Sequence, residues 1–238
     1  MINIIKFFFK KVGFEVKRYS IAQNQTARMM KILEDFKINL VFDVGANSGQ
    51  FGKELRNLGF EGEIISFEPL LDAYNSLTIL SKNDSLWNPA MRTAIGEFDG
   101  EIEINVAGNS ASSSILEMMD SHIKAAPATA RIGIEKVSIR KLDTLSPEYI
   151  TENARLFIKI DTQGYEDKVI DGGIGTISKA KVLQVELSLI ELYAGQKLMV
   201  EMIEKIKKMG FQLWGVEPAF VDSNTGRMLQ VDAIFCRN

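Results

Sequence analysis

Residues 41–52 read VFDVGANSGQFG: a short apolar run, an acid at Asp43, then Gly45, Gly49 and Gly52 among small polar residues. An apolar strand that breaks into glycines and restarts as a helix is the ligand-binding elbow of α/β proteins. A phosphate-transfer loop needs Lys-Ser/Thr after its glycines, and Gly49-Gln50-Phe51 supplies neither. The dinucleotide pattern GxGxxG is also missed: the spacing here is GxxxGxxG, with Asn47 where the pyrophosphate-approaching glycine belongs. Glu68, 23 positions after Gly45, ends the next apolar run and can accept the hydroxyls of a ribose. A carboxylate at Asp43 would repel a pyrophosphate but suits an ammonium. S-adenosylmethionine carries an ammonium, a carboxylate and a ribose, and its carboxylate can take the free N–H groups where the helix begins near Gly49.

Activating a poorly nucleophilic group calls for a general base within hydrogen-bond reach. The candidates are Asp161, Glu166, Glu186 and His122. Asp161 and Glu186 end apolar runs, where functional side chains of parallel sheets gather, and chemistry and structural support stay equally open for each. His122 is the single histidine, and the favoured reading is an exposed side chain of an insertion, since nothing nearby positions it. One histidine and one cysteine (Cys236) exclude a His-based metal cage and an intrachain disulfide framework. No metal is expected. A reducing cytoplasm is the default compartment.

These residues need elements to hold them. Strands are predicted over 39–44, 63–67, 101–106, 136–139, 156–160, 181–187, 211–216 and 231–236. Helices are predicted over 26–36, 49–58, after Pro69, over 166–171 and around Met202–Ile206. The last two strands are joined through a polar turn at 222–226, which implies one antiparallel strand at the sheet's end. Alternating strands and helices predict a doubly wound, mostly parallel α/β sheet of Rossmann type. Trp87 and Trp214 are expected in the core.

The 238 residues, 46% hydrophobic and 25% charged, suit one catalytic domain over 38–238 and an N-terminal helical segment over 1–37. Residues 1–20 carry five basic side chains and one acid, a net +4, so the total of −3 leaves −7 on the remainder. An acidic body argues against nucleic acid as the partner. The stretch MINIIKFFFKKVGF is too interrupted for a signal peptide and too short to span a membrane. As a helix it gathers Ile4, Ile5, Phe8, Phe9 and Val12 on one face, with Lys6, Lys10 and Lys17 off it. Packing onto the domain or a second copy is one reading. Peripheral contact of residues 1–18 with an anionic membrane surface is the other.

VFDVGANSGQFG, ISFEP and LFIKIDTQGYE together resemble the FkbM family of S-adenosylmethionine-dependent methyltransferases. The resemblance continues through AIG (94–96), NSASSSI (109–115), VSIRKLDTL (137–145) and VELS (185–188), over roughly residues 38–238. It implies a class I fold with a seven-stranded sheet and O-methylation of a hydroxyl on a saccharide, glycoconjugate or natural product. It also implies that Asp43, Gly45, Ala46, Asn47 and Gly49 cradle the methionine end of the cofactor. Glu68 would hold the ribose, Ala94 and Ile95 would border the adenine, and Asp161 would lie beside the transferring methyl. Serines 112–114 would contact the acceptor, against the plainer reading of a polar turn. One departure is Gln163, where the family commonly has a glutamate; it removes a charge and a potential Mg²⁺ ligand. The rival functions are an NAD-dependent oxidoreductase, disfavoured by GxxxGxxG and Asp43, and a catalytically inactive interaction module.

Overall fold

In the parallel sheet, buried on both faces, strand residues read as continuous apolar runs. The computed structural model describes residues 2–16 and 19–237, excluding the side chains of residues 2–5. The strands are β1 (Leu40–Val44), β2 (Glu63–Phe67), β3 (Trp87–Pro89), β4 (Ala94–Ile95), β5 (Gly100–Ala107), β6 (Arg131–Arg140), β7 (Leu156–Ile160), β8 (Val182–Ser188), β9 (Gln212–Val221) and β10 (Met228–Cys236). Seven of them form one sheet in the order β3-β2-β1-β7-β8-β10-β9. Pairing is parallel from β3 to β8, and β10 runs antiparallel to both its neighbours. The sheet is therefore doubly wound with one reversed strand, as its apolar runs predict. The second sheet, β4-β6-β5, was not expected as a separate layer. Strand β5 matches its alternation to within one residue at each end, whereas β6 starts five residues earlier than its pattern because it pairs along the whole of β5.

The helices are α1 (Ile2–Lys11), α2 (Gln25–Asp35), α3 (Gln50–Asn57), α4 (Leu71–Ser81), α5 (Asp120–Ala125), α6 (Leu142–Leu145), α7 (Glu166–Asp171), α8 (Ile174–Lys179) and α9 (Met199–Lys208). The chain divides into two compact units, Met1–Lys37 and Ile38–Asn238. In the first, Asn24 caps α2 by accepting from the Ala27 N–H at 2.9 Å. Phe7, Phe8, Phe9 and Val12 are all exposed. Ile4, Ile5 and Lys17 lie outside the described side chains. No helix among the described residues is long and apolar enough to cross a membrane.

In the second unit, the main core joins Phe42, Val44, Phe67, Ile158 and Ile160 of the central strands to Val169, Met202 and Ile206 of the covering helices. Trp87 is buried as expected, its indole N–H donating to Ser66 Oγ at 3.0 Å. Trp214 is not: it is 57% exposed, because β9 is the sheet's edge strand and this side chain faces outward.

The third glycine of the elbow has a packing role. A Cβ at Gly52 would sit 2.3 Å from the buried Trp87 ring. Gly52→Ala would gain ~0.5–1 kcal/mol of helix propensity. It would lose ~1–3 kcal/mol to overpacking against an anchored indole. The overlap is severe enough for the second effect to win. Urea unfolding should show a net destabilisation of about 1–2 kcal/mol; an unchanged or raised midpoint would refute the packing role.

Candidate active site

Connections leave β1 toward β2 on one side, while β7 and β8 lie on the other. The crevice for a ligand in such a sheet opens at this switch point, beyond the carboxyl ends of β1 and β7. The elbow after β1 sits there. Gly45 has φ 83°, and a Cβ on it would fall 1.9 Å from the Asp161 carbonyl oxygen. Only glycine permits that approach. The Gly45 and Ala46 N–H groups donate to the Phe67 carbonyl at 3.0 and 3.1 Å, tying the elbow to the end of β2. Asn47 is also left-handed, with φ 49°, and its side-chain oxygen accepts from the Ser48 N–H at 2.7 Å.

Glu68 is buried and joins two loops: its carboxylate accepts from the Asn47 N–H at 2.8 Å and the Leu70 N–H at 2.9 Å. Each oxygen keeps a further lone pair for a ligand. Burial pushes its pKa up to about 7, although both backbone bonds act in the opposite direction. Ala94 and Ile95 are buried in β4 of the second sheet. The residue that extends β3 beside β2 is Ala90, whose N–H donates to the Ser66 carbonyl at 2.9 Å, and the sequence offered no signal for it.

A polar row crosses the sheet below the crevice. Register aligns Ser66, Asp43, Lys159 and Gln184 on four neighbouring strands. Asp43 is completely buried, and neither of its oxygens has a hydrogen-bond partner among the described residues. Burial raises its pKa to about 6, against the pull of Lys159. Lys159 was passed over in the sequence, where it looks like one charge in an apolar strand. Its ammonium is 2.8 Å from Asp161 Oδ2 and 5.4 Å from the centre of the Phe51 ring. Burial by itself would lower the Lys159 pKa; the Asp161 and Asp43 carboxylates outweigh it and hold it above the usual range.

One turn further along, Asp161, Gln163 and Glu186 converge. The Gln163 amide donates to Asp161 Oδ1 at 2.8 Å and to Glu186 Oε2 at 2.7 Å, and its carbonyl accepts from the Tyr193 hydroxyl at 2.7 Å. Gln230 also donates to Glu186 Oε2, at 2.7 Å. An amide is what this position needs, since two carboxylates face it and only a donor can bridge them. Among the described residues no three His, Cys, Asp or Glu side chains are grouped to hold a metal ion. Glu186 has its pKa raised well above the carboxylate range by burial and by Asp161, Glu166 and Asp232.

Glu166 serves the turn. Its Oε1 accepts from the Thr162 N–H at 2.9 Å and the Gly164 N–H at 3.1 Å, so it positions the segment that presents Asp161. Burial raises its pKa to about 7. His122 is not the exposed side chain expected: it is buried, its ring 5.2 Å from both Tyr193 and Phe220. Helix α5 folds inward on the Met119 N–H bond to the Leu192 carbonyl, a non-local contact that no local pattern announces. Burial lowers the His122 pKa. The serine cluster straps the crevice. Ser110 meets Asn47 at 3.2 Å, Ser112 accepts the Tyr193 hydroxyl through its carbonyl at 3.0 Å, and Ser114 Oγ donates to the Gln163 carbonyl at 2.6 Å.

A glycine elbow beside an orphaned buried carboxylate, with a second acid closing the next strand, fits a cationic ligand that also carries a ribose. The class is a doubly wound α/β enzyme that binds such a cofactor at its switch point. The sequence pattern described as Methyltransferase FkbM domain matches residues 43–213, and the chain belongs to that family. It is an S-adenosylmethionine-dependent methyltransferase, which removes the oxidoreductase reading. No curated protein matches the chain. Among solved structures it is similar to the precorrin-6y C5,15-methyltransferase of Geobacter metallireducens, with 12% identity, 94% of each chain covered and a TM-score of 0.46. TehB of Haemophilus influenzae shares 9% identity over 98% of this chain and 66% of its own, with a TM-score of 0.47. Aeropyrum pernix fibrillarin, crystallised with S-adenosyl-L-methionine, shares 8% over 83% of this chain and 66% of its own, with a TM-score of 0.45.

The buried carboxyls make stability depend on pH. Asp43, Glu68, Glu166 and Glu186 all bind a proton more tightly folded than unfolded. Unfolded carboxyls titrate near ~4, so from there to about pH 7 the folded chain holds more protons and loses stability as pH rises. The urea midpoint of the cofactor-free protein should fall between about pH 5 and pH 8. Glu166→Gln, which keeps the Oε1 acceptor, should flatten that fall. A midpoint that rises throughout the range would contradict the protonation of this cluster.

Proposed function

We propose that this methyltransferase methylates oxygen: the acceptor is a hydroxyl of a saccharide, glycoconjugate or natural product. The observation that carries the reading is Asp161, a carboxylate held on one oxygen by Lys159 and on the other by Gln163, at the mouth of the crevice and 27% exposed. The donor supplies an electrophilic methyl on a sulfonium. An acceptor hydroxyl attacks that carbon in line; the C–O bond forms as the C–S bond breaks, and the hydroxyl proton passes to Asp161. The products are a methyl ether and S-adenosylhomocysteine. A hydroxyl becomes strongly acidic as its oxygen bonds to carbon, so a carboxylate suffices as the base. Holding donor, acceptor and base collinear accounts for the rest of the acceleration.

Other groups divide the remaining work. Asp43 would meet the donor's ammonium; the N–H groups of Gly45 to Gly49 already have partners within the fold, so the elbow would shape the pocket for the methionine end rather than donate to it. Glu68 accepts the ribose hydroxyls with its free lone pairs. Glu186 is held by two amides and kept short of charge by its acidic neighbours, which suits binding an acceptor hydroxyl better than taking its proton. The buried, weakly basic His122 packs on Tyr193, so it steadies the ring that anchors Gln163.

Two substitutions separate these roles. Asp161→Asn should lower kcat by ~10²–10⁴ while calorimetry finds S-adenosylmethionine bound nearly as before. Full activity on a mass-detected screen of saccharide hydroxyls, or transfer to nitrogen alone, would overturn the reading. Glu68→Gln should weaken S-adenosylmethionine binding by ~1.5–3 kcal/mol, with little change in kcat at saturation. An unaltered affinity would remove Glu68 from the ribose.

A further inference from the structure

Helix α1 is short, well terminated and unusually apolar for its exposure. Gly13, with φ 84°, closes it: the Gly13 N–H donates to the Lys10 carbonyl at 3.2 Å and the Phe14 N–H to the Phe9 carbonyl at 2.9 Å. That paired closure is a Schellman cap, so the helix has a built end and does not fray into the segment that follows. Yet the rings it carries are in water. Phe7 is 62% exposed, Phe8 64% and Phe9 39%, and Phe14 just beyond the cap is 66% exposed. Four phenylalanines within eight residues form an apolar patch of the kind that marks an interaction surface.

The charges around the patch identify what it meets. Helix α1 contains no acid: Lys10 and Lys11 occupy its last turn and Lys6 its middle. Lys6, Lys10 and Lys11 are exposed, and the Lys11 ammonium lies 4.8 Å from the centre of the Phe7 ring. Cations here are interleaved with aromatic rings. A two-fold contact with a second copy would set these lysines against their own equivalents, with no acid in the helix to neutralise them. A ten-residue helix is also marginal in water unless a surface receives its apolar face.

We infer that α1 and Phe14 form a peripheral docking surface for an anionic phospholipid bilayer. The phenylalanine rings enter the boundary between headgroups and acyl chains, and the lysines stay at headgroup level beside lipid phosphates. The −7 carried by residues 21–238 opposes approach to such a membrane. Salt decides the balance: at about 0.15 M the Debye length is ~8 Å, so distant acids are screened while lysines in contact with the headgroups are not. The surface recognises lipid charge, independently of which acceptor the enzyme methylates.

Flotation of the full chain with vesicles tests this directly. Equimolar phosphatidylcholine and phosphatidylglycerol vesicles should carry the protein upward near 0.15 M salt, and pure phosphatidylcholine should bind it at least about tenfold less. Raising salt to about 1 M should release most of it. Phe8→Glu/Phe9→Glu and Lys10→Glu/Lys11→Glu should each lose at least about tenfold in vesicle binding, while calorimetric affinity for S-adenosylmethionine stays unchanged. Wild-type protein that remains unbound with the mixed vesicles would overturn the inference. So would equal binding to both lipid compositions, or a dimer in sedimentation velocity that Phe8→Glu/Phe9→Glu dissociates.

Discussion

Lys159 brings an ammonium into the middle of a parallel sheet, and the crevice is organised around how that charge is met. Unpaired, a buried ammonium would lose its proton rather than bear the cost of desolvation. Asp161 meets it directly at 2.8 Å, with Asp43 close enough on the neighbouring strand to contribute. Because Lys159 occupies Asp161 Oδ2, the other oxygen is left for Gln163, and the same amide reaches across to Glu186. Each bond in this chain leaves its partner one acceptor or donor short. The sequence of contacts is therefore fixed by satisfaction of buried polar groups, and Asp161 can point in one direction only.

The backbone imposes the second constraint. The Gly45 elbow lies against the Asp161 carbonyl so closely that a methyl group would collide with it. The glycine elbow and the carboxylate-bearing turn are thus one unit, built from two strands more than a hundred residues apart in sequence. The strap of serines spans the same gap from above, touching Asn47 at one end and Gln163 at the other. The elbow and the Asp161 carboxylate are held together by contacts a few ångströms long. Pre-organisation of this kind places reacting groups without requiring a rearrangement at the moment of reaction.

The two units of the chain answer to opposite demands. The larger one buries most of its aromatic rings and gathers carboxylates toward the carboxyl ends of its central strands. The helix at the start of the chain leaves its rings exposed among lysines.

Much of this was legible in order along the chain. Apolar runs located six of the seven main-sheet strands, the exception being three-residue β3. GxxxGxxG with Asp43 and Glu68 pointed to the right cofactor, since strand periodicity and glycine backbone freedom are local properties. What could not be read were facts made by distant pairs. His122 is buried because α5 folds onto Tyr193, and Trp214 is exposed because β9 falls at an edge. Lys159 matters because Asp43 and Asp232 from other strands join Asp161 around it, and Gln163 bridges because Asp161 and Glu186 both face it. Local residue types determined the fold and the ligand class; only the tertiary structure decided which charges meet, because a side chain's protonation and partner depend on neighbours that the chain brings together from far apart.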